Sequence, residues 1–202
     1  MTAVQKHGED YENRVILERT GITKDEYEKL LKNGYTSEFD LAKGVRVDYN
    51  ASIKASKTTN VNCSDLLRKM RHKEYRFIVG LWEQVTPEEK LFHTQYEFFI
   101  TEKDYPTLWG NLEYEEVEEF VNFVKAIPPG REGQKGTLVE RNILQEELER
   151  KGSLFKINPK VDSKKQRRVQ CTLPIDKLVS AGVKYMKTDL NFLVNSTERK
   201  FK

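Results

Sequence analysis

The chain has only two cysteines, Cys63 and Cys171, among 202 residues. Two are too few for a disulfide framework, and no C-x-x-C spacing offers a zinc pair, so the redox setting read from the sequence is a reducing cytoplasm. The three histidines, His7, His72 and His93, share no metal-ligand spacing. No apolar run approaches the roughly 18–20 residues of a membrane span. The opening MTAVQKHGED lacks the apolar region of a secretory leader. There is no G-x-x-x-x-G-K-[ST] order, which excludes P-loop nucleotide binding, and the serines have no evident His/Asp relay. No internal repeat and no low-complexity segment is present. What remains is a globular chain, 37% hydrophobic and 33% charged, of a size that suits one domain with a full core.

Net charge is only +3, so bulk basicity implies little, but the charge is unevenly spread. Residues 54–76 carry Lys54, Lys57, Arg68, Lys69, Arg71, Lys73 and Arg76 against Asp65 and Glu74. Residues 160–168, KVDSKKQRR, carry five cations against Asp162, whereas Glu113, Glu115, Glu116, Glu118 and Glu119 crowd one helix start. Segregated charge lets one face meet a polyanion while another keeps the protein in solution. Either run alone would also serve as an ordinary solvated face; two together point to nucleic acid.

The periodicity predicts a helix over about 7–20 and a second helix opened by a Thr23–Glu26 capping box and stopped at Gly34. A hairpin, a loop over 58–62 and a helix from Ser64 to about His72 follow. Tyr75 to Val85 reads as a central strand and Gln95 to Thr101 as its neighbour. Asn111 is placed to cap a Glu-rich helix over 112–126, which Pro128-Pro129-Gly130 ends. The glycine-rich 130–137 segment reads as a mobile loop able to close on a ligand. Then come a helix over 138–151, a strand near 153–157, a turn at Asn158-Pro159, a strand from Val169 to Leu173 and a helix over 174–181 beginning at Pro174.

The stretch Phe39 to Lys57, FDLAKGVRVDYNASIKASK, holds the candidate chemistry. It reads as a β-hairpin with Asp40 on its first arm and Ser52-Ile53-Lys54 on its last. Ala51, Ile53 and Ala55 fall on one face of the last arm, and Ser52, Lys54 and Ser56 on the other. A carboxylate and an ammonium on the polar side of adjoining strands can hold a hard divalent cation beside a phosphodiester and act on the attacking water. The same residues would equally suit a plain surface strand. In the first helix Glu12 lies beside Val15 and Ile16, at the edge of the packing stripe. A carboxylate there calls for a lysine, a metal or a backbone donor.

Together, Gly8-x-x-x-Glu12 on a first helix, Asp40 opening a strand and Ser52-x-Lys54 on the next resemble the PD-(D/E)xK nuclease core. Within it the pattern is most similar to the small type II restriction endonucleases. Ser52 stands where that family usually has Asp or Glu, and no proline precedes Asp40. The polar segment from Asn60 to Arg68, read as a loop opening a helix, is also similar to enzymes of that group. The resemblance covers roughly residues 8–70.

It implies an α+β or α/β fold, a restriction-endonuclease-like core with a central mixed sheet flanked by helices. It further implies one nuclease domain over 1–202, with a catalytic core at 8–105 and helical and basic β-ribbon additions at 106–202. The implied activity is Mg²⁺-dependent cleavage of double-stranded DNA, with Mn²⁺ able to substitute, by a cytoplasmic homodimer needing no nucleotide cofactor and no membrane. Asp40 would ligate the metal with the Ile53 carbonyl, Lys54 would polarise the attacking water, Ser52 would be a weak ligand, and Glu12 would add a carboxylate. The DNA-contacting candidates are Lys57, Asn60, Asn62, Arg68 and Arg71 in the first basic run. In the second they are Lys160, Lys164, Lys165, Gln166, Arg167, Arg168 and Gln170. Arginine pairs with guanine and glutamine with adenine in the major groove, so 166–170 suits a base-reading ribbon and equally a hairpin that touches phosphate only. The rival expectations are a structure-directed nuclease of the same fold and a non-catalytic nucleic-acid-binding protein with a decayed site.

Overall fold

The computed structural model of the protein describes residues 3–31 and 38–195. In chain order its elements are α1 (Ala3–Thr20), α2 (Lys24–Leu30), β1 (Ala51–Ser56), β2 (Asn60–Asp65), α3 (Leu66–Arg71), β3 (Tyr75–Thr86) and β4 (Glu89–Ile100). A 3-10 turn at Glu102–Asp104 leads to α4 (Tyr105–Trp109), α5 (Tyr114–Ala126), α6 (Arg131–Gly136) and α7 (Leu138–Glu149). The chain continues through β5 (Lys156–Val161), β6 (Arg167–Pro174), α8 (Ile175–Ser180) and β7 (Tyr185–Asn195). It divides into two compact units interleaved in sequence. One unit takes Met1–Val61, Glu74–Ile100 and Val183–Lys202; the other takes Asn62–Lys73 and Thr101–Gly182.

The first unit is built on a four-stranded sheet of order β1-β3-β4-β7. β1 runs parallel to β3, while β3–β4 and β4–β7 are antiparallel, so the sheet is mixed. Helix α1 packs on β1 through Tyr11, Val15 and Ile16, all buried, the stripe that helical spacing predicts. As expected of a central strand, β3 buries Phe77, Ile78, Val79 and Leu81 in succession. Gly80 interrupts that run because a Cβ there would stand 2.5 Å from the Tyr11 ring, which lies against the strand and stacks on Phe92. The Thr23–Glu26 capping box forms, with Thr23 N–H donating to the Glu26 carboxylate at 2.8 Å and Glu26 N–H to Thr23 Oγ1 at 3.3 Å. Helix α2 ends at Leu30, with Leu31 already extended; Gly34, the expected stop, lies outside the described residues.

The second unit carries a three-stranded sheet of order β2-β6-β5. The expected loop of 58–62 and the helix start at Ser64 give way to β2, because Val61 and Cys63 alternate inward and bury their side chains. Asp65 then caps α3, its Oδ1 accepting from Arg68 N–H at 2.9 Å. Asn158-Pro159 is not a turn. β5 runs through both residues, with Pro159 opposite Val169. Its missing N–H is tolerated because β5 is an edge strand. Glu113, not Asn111, opens α5, in a capping box with Glu116. The glycine-rich 130–137 segment is not an open loop either. It forms α6, in which Gly133 packs so closely that a Cβ would overlap the Pro128 carbonyl oxygen. Trp109 stacks on Phe155 at 4.2 Å in this unit's core. Among the described residues, no helix is long and apolar enough to cross a membrane.

Candidate active site

The first arm of the expected hairpin is a single bridge. Leu41 and Ala51 exchange backbone hydrogen bonds at 3.0 and 2.8 Å, and Asp40 sits on the bend just before them. Its side chain nevertheless reaches β1. Asp40 Oδ2 accepts from the Ile53 N–H at 2.6 Å and from Lys54 Nζ at 3.1 Å, with Ser52 Oγ 3.5 Å away. β1 is an edge strand, so the carboxylate takes an N–H that no strand on that side competes for.

Ser52 is buried, not on an open polar face with Lys54 and Ser56. Ala51, Ser52 and Ile53 are all covered, and β1 opens only from Lys54 onward. An acidic residue at position 52 would place a second buried charge against Asp40, whereas a hydroxyl adds none. Lys54 and Asp40 keep 22% and 25% of their side-chain surface, enough to meet a ligand from solvent while remaining fixed to each other.

Glu12, on α1, has the lysine its position calls for. Lys24 Nζ stands 3.0 Å from Glu12 Oε1 and 3.8 Å from Glu28. Burial raises the Glu12 carboxyl above its ordinary range, and the Asp40 charge raises it further, against the pull of Lys24 and Lys54. Glu12 and Asp40 thus feel one another across a partly desolvated space. Lys24 was not anticipated. Its signal was the short link between α1 and α2, which obliges α2 to fold back along α1.

Two other polar arrangements in this unit also escaped the sequence reading. Tyr11 O–H donates to Gln95 Oε1 at 2.7 Å. Glu97, 2% exposed, is held by Arg19 and by Arg76 Nη1, the latter at 2.8 Å.

No group of three or more His, Cys, Asp or Glu side chains arranged to hold a metal occurs among the described residues. A Mg²⁺ ion does not require one, since it keeps several waters and is commonly held by one or two carboxylates. Asp40 and Glu12, hard oxygen donors that repel each other, with the Ser52 hydroxyl beside Asp40, fit that donor set.

The four proposed catalytic side chains belong to the first unit, and so do Lys57 and Asn60. Lys57 is exposed, with Nζ 5.9 Å from the Trp82 ring centre. The other candidate DNA contacts belong to the second unit. Arg68 and Arg71 are exposed on α3, and Arg71 Nε donates to Tyr114 Oη at 3.0 Å. Asn62 Nδ2 donates to Gln170 Oε1 at 3.4 Å, joining β2 to β6. Lys160 is paired with Arg168 across β5 and β6, and Lys164 and Lys165 are exposed in the connecting turn. With its amide oriented to satisfy both groups, Gln166 accepts from Arg168 Nη2 at 2.9 Å.

Arg167 is different. Its side chain is only 8% exposed, and its guanidinium donates to the backbone carbonyls of Ile127, Pro128, Asp162 and Gln166. It ties the β5–β6 turn to the segment before α6, so its donors are spent inside the protein. Comparison with protein families, curated proteins and solved structures finds no match to this chain.

Proposed function

We propose that the protein is a Mg²⁺-dependent endonuclease that hydrolyses phosphodiester bonds of double-stranded DNA, a type II restriction enzyme built on a restriction-endonuclease-like core. The observation that carries this reading is the convergence of Lys54 Nζ, the Ile53 N–H and the Ser52 hydroxyl on one oxygen of Asp40. The Glu12 carboxyl, raised by burial and then by the Asp40 charge, supports it. The mixed sheet, with α1 packed on the strand that carries Ser52-Ile53-Lys54, is compatible with that core.

Asp40 and Glu12 would hold the cation. Mg²⁺ bound there supplies positive charge to the phosphate and makes water a better nucleophile at neutral pH. Lys54 is fixed on its strand by Asp40, so its ammonium can orient the attacking water and offset charge building on the phosphate oxygens. Water oxygen bonds to phosphorus as the bond to the 3′ oxygen breaks, which leaves a 5′-phosphate and a 3′-hydroxyl. A palindromic target would call for a two-fold dimer.

The test is incubation of purified protein with phage DNA and Mg²⁺, followed by end-sequencing of the fragments. Discrete ends are expected, and Asp40→Ala or Lys54→Ala should lower cleavage on the order of 10²–10⁴-fold while the fold persists. Activity within about tenfold of wild type in either variant would remove the catalytic assignment. Scattered ends on plain duplex, with preference for branched DNA, would favour a structure-directed nuclease. Binding without cleavage in either Mg²⁺ or Mn²⁺ would favour the non-catalytic reading.

A further inference from the structure

The three-stranded sheet of the second unit has one buried and one open face. Ile157, Val169, Cys171 and Leu173 point inward with Cys63, all nearly inaccessible. The alternate positions carry Asn62 on β2, Asn158 and Lys160 on β5, and Arg168, Gln170 and Thr172 on β6. None of these six is acidic, although the chain has 32 carboxylates. A polyanion therefore meets no like charge at these six positions.

Their side chains form a cross-strand run. Asn62 Nδ2 donates to Gln170 Oε1 at 3.4 Å; Gln170 is paired with Asn158, whose Nδ2 donates to Thr172 Oγ1 at 2.6 Å. Gln170 Oε1 keeps a second lone pair, and its own amide N–H groups point to no partner among the described bonds. A fixed acceptor beside a donor is the complement of the N6 donor and N7 acceptor that adenine shows in the major groove. Arg168, exposed two residues away, suits guanine.

The face also argues against other ligands. It has no aromatic side chain on which unpaired bases could stack, and no apolar anchor of the kind that dominates protein interfaces. The major groove of duplex RNA is too deep and narrow for a sheet, whereas that of B-DNA admits a two-stranded ribbon such as β5–β6.

We infer that the open face of the β2-β6-β5 sheet reads the major groove of double-stranded DNA, with Gln170, positioned by Asn62, contacting adenine. This rests on the double-stranded DNA reading above but not on catalysis. It places sequence recognition on a sheet face that includes Asn62, rather than on the 166–170 ribbon alone, and leaves Arg167 as a brace for that ribbon.

The experiment selects bound duplexes from a randomised DNA library with Ca²⁺ in place of Mg²⁺, using wild type, Gln170→Met and Asn62→Asp. Asn62→Asp keeps the Oδ1 that accepts from Ser64 N–H at 2.9 Å and replaces the donor to Gln170 with a carboxylate oxygen. The added charge weakens binding to every duplex alike and leaves the base preference to report the lost donor. Wild type should enrich a motif that contains an A·T pair. Gln170→Met should lose the preference at that pair, a roughly 5- to 150-fold change in discrimination, while random duplex is bound almost as before. Asn62→Asp should weaken the same preference at the same pair, a readout that a merely structural role would not move. Circular dichroism melts of both variants should match wild type. An unchanged motif in Gln170→Met, no enrichment by wild type, or preference for RNA would each overturn the inference. Discrete cleavage with an unchanged motif would overturn it and leave the nuclease reading standing; enrichment without cleavage would do the reverse.

Discussion

In the four-stranded sheet the notable polar side chains are buried, and each has a named partner: Ser52 near Asp40, Lys90 on His7, Gln95 on Tyr11 and Glu97 between two arginines. In the three-stranded sheet the inward positions Cys63, Ile157, Val169, Cys171 and Leu173 are apolar. Arg167 at the start of β6 is turned onto backbone carbonyls, and the remaining amides and cations stand outward, half-buried or exposed. A buried polar group must be satisfied and is thereby fixed in place. An outward amide has bonding capacity left over. The first arrangement suits preorganised chemistry and the second suits recognition. The contrast lies in desolvation, not in residue type, since both sheets use lysine, arginine and glutamine.

The largest test of this contrast is at the two oxygen donors beside Asp40. Ser52 is uncharged and 3.5 Å from Asp40, so cation holding should fall mainly to Asp40 and Glu12. Glu12→Gln is expected to lose on the order of 10²-fold in cleavage rate and Ser52→Ala under about tenfold, measured at saturating Mg²⁺. The reverse ranking would make the Glu12–Lys24 pair structural. Next is Arg167→Ala. It strips part-buried carbonyls of their donor and should cost roughly 1–2 kcal/mol in urea denaturation, an effect on stability that base reading would not produce. A variant as stable as wild type would return Arg167 to the surface.

The third test is pH. Burial, and then the Lys90 ammonium, lower the His7 pKa from 6.5 to about 4; Lys90 Nζ stands 3.0 Å from His7 Nδ1 and Trp82 packs on the ring. The unfolded chain takes up a proton near pH 6.5 and the folded chain only near pH 4. Stability from this group is therefore present above pH 6.5 and is lost as pH falls towards 4. Wild type should lose on the order of 2–4 °C more in melting temperature across that window than His7→Asn. Parallel curves would show that the ring is solvated. The smallest effects belong to the exposed turn. Lys164→Ala and Lys165→Ala should leave stability unchanged and each lower the salt slope of DNA binding by about one unit. An unchanged slope would exclude those lysines from phosphate contact.

Much of the architecture is visible in residue order. The Thr23 cap, the α1 stripe and the continuous apolar run of β3 all follow from local patterns that packing reinforces. The misses share a cause. β2 hides its alternation among asparagines and serine, and β7 is exposed along most of its length, so neither shows the contrast between faces that marks a strand. The approach of Asp40 to Lys54 could be anticipated from residue types. The burial of Ser52 depends on covering both faces of β1, and the role of Arg167 depends on backbone carbonyls, which leave no trace in side-chain identity. For Glu12 the sequence leaves a lysine, a metal and a backbone donor open as partners, and the choice of Lys24 depends on how α2 folds back.

The position of β7 along the chain has a consequence for how the protein is made. β7 pairs with β4, yet residues 101–182, most of the second unit, lie between them in sequence. A ribosome adding about 5–20 residues per second releases β4 several seconds before its partner emerges. Throughout that interval the hydrogen-bonding edge of β4 is bare, and the first unit cannot close its sheet. The later unit, contained in 101–182 apart from a short earlier piece, can collapse meanwhile. Of the two units, the one begun earlier is thus finished later, and β4 is the edge on which a nascent chain would most readily meet a chaperone or a neighbouring copy.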